Sequence, residues 1–101
     1  MTRPDRPTAV FAANDLSAIR TIEVAQELGL RVPEDLSVVG FDNVPESAMA
    51  VPPLTTINQP MREIGATALS ILVGLLEERP PASTHVQLPT SMVERSSCAP
   101  L

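Results

Sequence analysis

Two stretches of the chain decide its fold: Thr8-Ala9-Val10-Phe11-Ala12-Ala13-Asn14-Asp15 and, after an amphipathic interval, Leu36-Ser37-Val38-Val39-Gly40-Phe41-Asp42-Asn43. Each is a short apolar run with strand-favouring residues at its centre, cut off by a pair of Asn and Asp, and each predicts a buried strand. Between them Leu16, Ile19, Ile22, Ala25 and Leu28 recur at three-residue steps and mark one face of a helix. Asp15 is suited to cap the start of that helix, and Gly29 supplies a left-handed stop. The turn from Leu30 to Asp35, which contains Pro33, leads into the second strand. Strand, helix and strand within about 35 residues form a βαβ unit, whose two strands run parallel with a right-handed crossover. Parallel strands bring Asn14 and Asp42 to the same edge of the sheet. Open α/β sheets bind ligands beyond the carboxyl ends of their strands, so these two residues occupy the expected binding positions.

Further along, Pro45 to Pro53 has no clear period and reads as a loop, and Leu54-Thr55-Thr56-Ile57-Asn58 as a short strand. Pro60 suits the first turn of a helix, and Met61, Ile64, Ala68, Ile71, Leu72, Leu75 and Leu76 trace an apolar face towards a stop at Pro80-Pro81. Leu69 and Val73 widen that face, which predicts burial over much of the circumference. Val86-Gln87-Leu88 and Met92-Val93-Glu94 read as two short strands separated by Pro89.

Composition narrows the function. The 101 residues are 44% hydrophobic and 19% charged, in the range of a small globular domain. Twelve acidic against seven basic residues leave a formal charge of -5, and all seven cations are Arg, spread from Arg3 to Arg95 without a cluster, which argues against nucleic-acid binding by these residues. With Phe11 and Phe41 as the two aromatic residues, there is no series of stacking platforms. A single cysteine, Cys98, has no internal disulfide partner and fits a reducing compartment, and no Cys or His pair has metal-ligand spacing. No cofactor or metal is expected. No export signal is read in Met1 to Ala13, and the apolar stretch Ile64 to Leu76 falls short of the roughly 20 residues that span a bilayer.

Four segments in order, Thr8-Ala-Val-Phe-Ala-Ala-Asn-Asp-Leu16, Gly29-Leu-Arg-Val-Pro-Glu-Asp-Leu-Ser-Val-Val-Gly-Phe-Asp42, Pro52-Pro-Leu-Thr-Thr-Ile-Asn-Gln-Pro60 and Leu88-Pro-Thr-Ser-Met-Val-Glu-Arg95, resemble the C-terminal part of a LacI/GalR-family transcriptional repressor, from Pro7 to Pro100. The resemblance implies a two-lobed sensor of the type I periplasmic-binding-protein fold that holds a small effector, often a sugar or nucleobase, between its lobes. It also implies a cytoplasmic homodimer and an N-terminal helix-turn-helix that grips operator DNA. Residues 1–101 then form the C-terminal part of the sensor, without that DNA-reading domain or most of the first lobe. If the family topology holds, the helix after Pro60 belongs to the opposite lobe and much of its apolar stripe lacks a partner here. By this resemblance Asn14 and Asp42 match the family's effector-contacting Asn and Asp, and Gln59, a third ligand-contact candidate, lies where the family's chain crosses between lobes beside the pocket. Two departures stand out: Arg20 replaces a Gly common in the first helix, on a surface that helps form the family's dimer, and Asn43 replaces a frequent second acidic residue.

Each assignment has a plainer counterpart. Asp42 also fits a turn after a strand, Asn14 a left-handed turn residue ahead of Asp15, and Gln59 a residue serving only the helix start. Gly40 suits close backbone packing. His85 reads as a surface residue and Cys98 as inert, since no nucleophile motif frames the one and no cationic cluster surrounds the other. Two other function classes compete with this reading: an exported solute-binding protein of the same fold, and a hydrolase using Asp42 and His85. The Pro52-Pro-Leu-Thr-Thr stretch and the Leu88-Pro-Thr tail favour the repressor, and the hydrolase lacks a nucleophile motif.

Overall fold

The computed structural model of the chain describes residues 5–79 and 85–100. It divides into two compact units, one made of Met1–Asn58 with Ser91–Leu101 and the other of Gln59–Thr90.

The larger unit carries β1 (Ala9–Phe11), α1 (Asp15–Glu27), β2 (Ser37–Val39), α2 (Pro45–Met49), β3 (Thr56–Asn58) and, from the far end of the sequence, β4 (Ser91–Val93). β1 and β2 pair in parallel, Val10 opposite Val38, with α1 as the crossover, as the βαβ pattern predicts. β3 pairs antiparallel with β4, Ile57 opposite Met92. Parallel bridges Val39–Thr55 and Asp42–Asn58 link β2 to β3. Ser97 ties the tail into the same sheet: its carbonyl accepts from the Val38 amide (2.9 Å), and its hydroxyl accepts from the Thr55 amide (2.8 Å) and donates to the Val38 carbonyl (2.5 Å). Cys98 is half-buried beside it, its thiol 3.4 Å from the same carbonyl.

The core comprises Ala12, Ala18, Ile22, Ala25, Val32, Leu36, Val38 and Leu54. Burying side chains such as Ile22, Leu36 and Leu54 stabilises the unit by about 1.5–3 kcal/mol each. The buried face of α1 is Asp15, Ala18, Ile22 and Ala25, rotated from the expected stripe; Leu16 (64% exposed) and Leu28 (49%) lie outside it. Close approach to β2 selects the small residues. A Cβ on Gly40 would lie 2.3 Å from Asp15 Oδ1, 2.8 Å from Leu54 Cδ2 and 3.3 Å from Ala18 Cβ, so glycine at 40 is what lets α1 settle this near the strand. Gly29, at φ +82°, ends the helix region as expected. Pro45–Met49 is a single turn and a half of helix rather than the loop expected, opened by Pro45 in its first turn, where a missing N–H costs nothing.

The smaller unit consists of α3 (Met61–Leu76) and the segment 85–90 among the described residues. The helix follows Pro60 as expected, but none of its residues is buried, which corrects the expectation that it is enclosed on much of its circumference. A unit this small offers the helix one partial neighbour: Ile64, Ala68 and Ile71 line a groove of about 320 Å³ with Val86 and Leu88. The strand expected at Val86–Leu88 is absent; this segment has no ladder partner, and Pro89 withholds an amide. The expected stop at Pro80-Pro81 lies outside the described residues, and the helix closes earlier, at Leu76 with Glu77 as its cap.

Candidate functional site

Asn14 and Asp42 follow β1 and β2 at their carboxyl ends, and because the strands are parallel neighbours both residues emerge from the same edge of the sheet. Asn14, rather than Asp15, caps α1. Its backbone is extended, not left-handed, and its side-chain Oδ1 accepts from the Ser17 amide at 2.8 Å. That bond fixes the orientation of the carboxamide, since an amide N–H demands the oxygen, and leaves the Nδ2 group as the donor half. The residue is exposed.

Asp15 takes an interior role. It is fully buried as the first residue of α1, with Oδ2 accepting from the Val44 amide (2.7 Å) and Oδ1 from the Thr56 hydroxyl (2.5 Å). Its own amide donates to the Phe41 carbonyl (3.0 Å). One carboxylate thus joins the start of α1 to β3 and to the segment just after Asp42.

Asp42 is half-buried, with its backbone amide donating to the Ile57 carbonyl (2.9 Å). It and Asn43 both have positive φ, +119° and +64°. Two consecutive non-glycine residues in this region cost on the order of 1–3 kcal/mol each and persist where neighbouring contacts over-determine them. Those contacts are present. Asn43 Nδ2 donates to Asn58 Oδ1 (3.0 Å), and Asn43 Oδ1 accepts from Arg95 Nη2 (2.9 Å). Arg95 Nη1 donates in turn to the Ser47 hydroxyl and to the Leu54 carbonyl, both at 2.8 Å. The Asp42–Asn43 turn is therefore held through Val44 by Asp15 on one side and through Asn43 by Arg95 on the other.

Gln59 opens the smaller unit, half-buried and lining the same groove as Ile64, Ala68 and Val86, with its carbonyl accepting from the Met61 amide (2.8 Å). His85 is exposed. No group of three His, Cys, Asp or Glu residues with metal-binding geometry occurs among the described residues, nor is any helix there long and apolar enough to cross a membrane. Arg20 pairs on the surface with Glu23 (3.0 Å) and, at 3.8 Å, with Glu27.

The sequence reading missed Asp15 and Arg95. A signal existed for the first: Asp15, Ala18, Ile22 and Ala25 share a helical face, so the acid lies in register with the core. Nothing local marks Arg95, whose guanidinium partners stand 41 to 52 residues earlier.

A parallel βαβ sheet with polar residues gathered at its carboxyl edge defines an α/β ligand-binding module. Residues 1–98 match the profile of the periplasmic binding protein-like domain, and the chain belongs to that family. It is 46% identical over 92 residues to the HTH-type transcriptional repressor PurR of Aliivibrio fischeri, an alignment that covers 91% of this chain and 27% of the relative. Among solved structures, a LacI family transcriptional regulator from Enterococcus faecalis with bound ribose superposes with a TM-score of 0.89 at 36% identity, over 97% of this chain and 37% of that one. A lac repressor dimer bound to operator and the anti-inducer ONPF superposes at 0.84 with 39% identity, over 91% of this chain and 32% of that one. The chain thus resembles LacI-family repressors over nearly its whole length and spans less than a third of the length of the curated relatives it matches. PurR and the lac repressor are transcriptional repressors, and the hydrolase and solute-binding-protein alternatives gain no support from them.

Proposed function

We propose that this chain is the C-terminal part of the effector-binding sensor of a cytoplasmic, homodimeric LacI/GalR-type repressor, with Asn14 and Asp42 as contacts to a small polyhydroxylated or heterocyclic effector and operator DNA bound through a separate helix-turn-helix. The observation that carries the reading is the placement of these two residues at the carboxyl ends of adjacent parallel strands, with Asp42 in a turn fixed from both sides. Their chemistry is complementary. A carboxylate accepts two hydroxyl or N–H protons, and the Asn14 amide, its oxygen committed to the helix cap, offers N–H donors to a ligand oxygen. Sugars present both kinds of group, and a relative of the same fold is known with bound ribose. Gln59 enters as a third contact on the resemblance alone.

Effector binding alters operator affinity only through unequal affinity for two states of the sensor, so the site residues set the effector response and not the grip on DNA. The test is calorimetry of the intact protein against a panel of D-ribose, cellobiose and free nucleobases, followed by operator titrations. Asp42→Ala weakens binding of the active compound at least tenfold, about 1.4 kcal/mol, while operator affinity without effector stays within twofold. Equal loss of both overturns the assignment.

A further inference from the structure

We propose that Arg95 is a positioning residue of the effector site: its guanidinium holds the left-handed Asp42–Asn43 turn in place and so fixes where the Asp42 carboxylate stands. The inference rests on the reading of Asp42 given above. Arg95 is half-buried, and its own backbone is anchored, its amide donating to Thr55 Oγ1 at 3.0 Å. From that anchor the planar fork reaches two places at once, with Nη1 on Ser47 Oγ and the Leu54 carbonyl and Nη2 on Asn43 Oδ1. A lysine, with a single nitrogen, does not reproduce this geometry.

The Ser47 hydroxyl does not substitute for Arg95. It has one proton, and the Val44 carbonyl at 2.7 Å is a better acceptor for it than Asn43 Oδ1 at 3.2 Å. Arg95 is therefore the principal donor to Asn43 Oδ1, and without it Asn43 keeps its bond to Asn58 but loses the contact that opposes relaxation of the turn. Asn43 follows Asp42 directly, so rotation there moves the Asp42 backbone, whose amide is bonded to Ile57. The sequence places this device out of sight: β4 and the tail bring Arg95 back to a turn 52 residues earlier.

Hydrogen exchange on the intact protein tests this without any ligand. Arg95→Lys lowers protection of the Asp42 and Val44 amides at least tenfold, while the Ala12 and Ser37 amides, which bond across β1 and β2, stay within twofold of wild type. Asn43→Ala leaves Arg95 its bonds to Ser47 and Leu54 and produces the same local pattern, and the double variant loses no more than the stronger single one. Unchanged protection at Asp42 and Val44 overturns the proposal, as does a loss spread equally over Ala12 and Ser37, or losses that add in the double variant. A parallel titration with D-ribose separates the two readings. Arg95→Lys weakening ribose binding at least fivefold supports positioning, and Asp42→Ala binding ribose like wild type overturns the effector role of Asp42 while the exchange result still decides whether Arg95 holds the turn.

Discussion

At the scale of single residues, polar groups at the carboxyl edge of the sheet divide into those committed to the fold and those proposed above to meet the effector. Asp15 holds: its carboxylate accepts from Val44 and Thr56, and Asp15→Ala leaves the buried Thr56 hydroxyl and the part-buried Val44 amide without their acceptor. We expect a loss of about 1–3 kcal/mol, read as a lower urea midpoint. Asp35 illustrates a different electrostatic role, away from the site. The Arg31 side chain and backbone amide both donate to its carboxylate and hold it well below the usual range, at about 2. Because the folded value is depressed, the resulting stabilisation is complete above the unfolded value near 3.9 and is lost as pH falls towards 2. The difference in urea midpoint between wild type and Asp35→Asn is therefore constant above about pH 5 and shrinks between pH 4 and 2; a difference independent of pH contradicts the pairing.

At the scale of elements, the contact between α1 and β2 depends on the missing side chain at Gly40. Gly40→Ala forces a methyl group against Asp15 Oδ1 and Leu54, and over-packing of this kind costs about 1–3 kcal/mol, measured as a lower Tm. This same contact explains what the sequence disclosed. The βαβ unit was legible because two apolar runs ended in Asn and Asp pairs at the right separation, and the edge position of Asn14 and Asp42 followed from parallel strands alone. Which face of α1 turns inward was not legible, since Leu16 and Leu28 are more hydrophobic than Ala18 and Ala25, and only the closeness of Gly40 shows why the small residues win. The cap was misplaced by one residue for a related reason: Asn and Asp both cap helices well, and burial reserves Asp15 for Val44 and Thr56. Arg95 was invisible because its contacts are non-local, and the short α2 because Pro45-Glu46-Ser47-Ala48-Met49 is too brief to display a period.

At the scale of the whole molecule, the second unit leaves its apolar helix exposed, with Leu69, Leu72, Leu75 and Leu76 each more than half open to solvent. Patches of this extent drive association. Residues 1–101 expressed alone are expected to self-associate in sedimentation experiments, and Leu69→Glu with Leu72→Lys to shift them towards monomer; a monodisperse wild-type fragment contradicts this. An effector met at the carboxyl ends of β1 and β2, as proposed, is detected most directly by amide chemical-shift mapping of the intact protein. Titrated with the panel compound that binds, the protein is predicted to show its largest shifts at Asn14, Asp42 and Asn43; shifts confined to the outer face of α1 around Arg20 and Val24, with these three unmoved, contradict it.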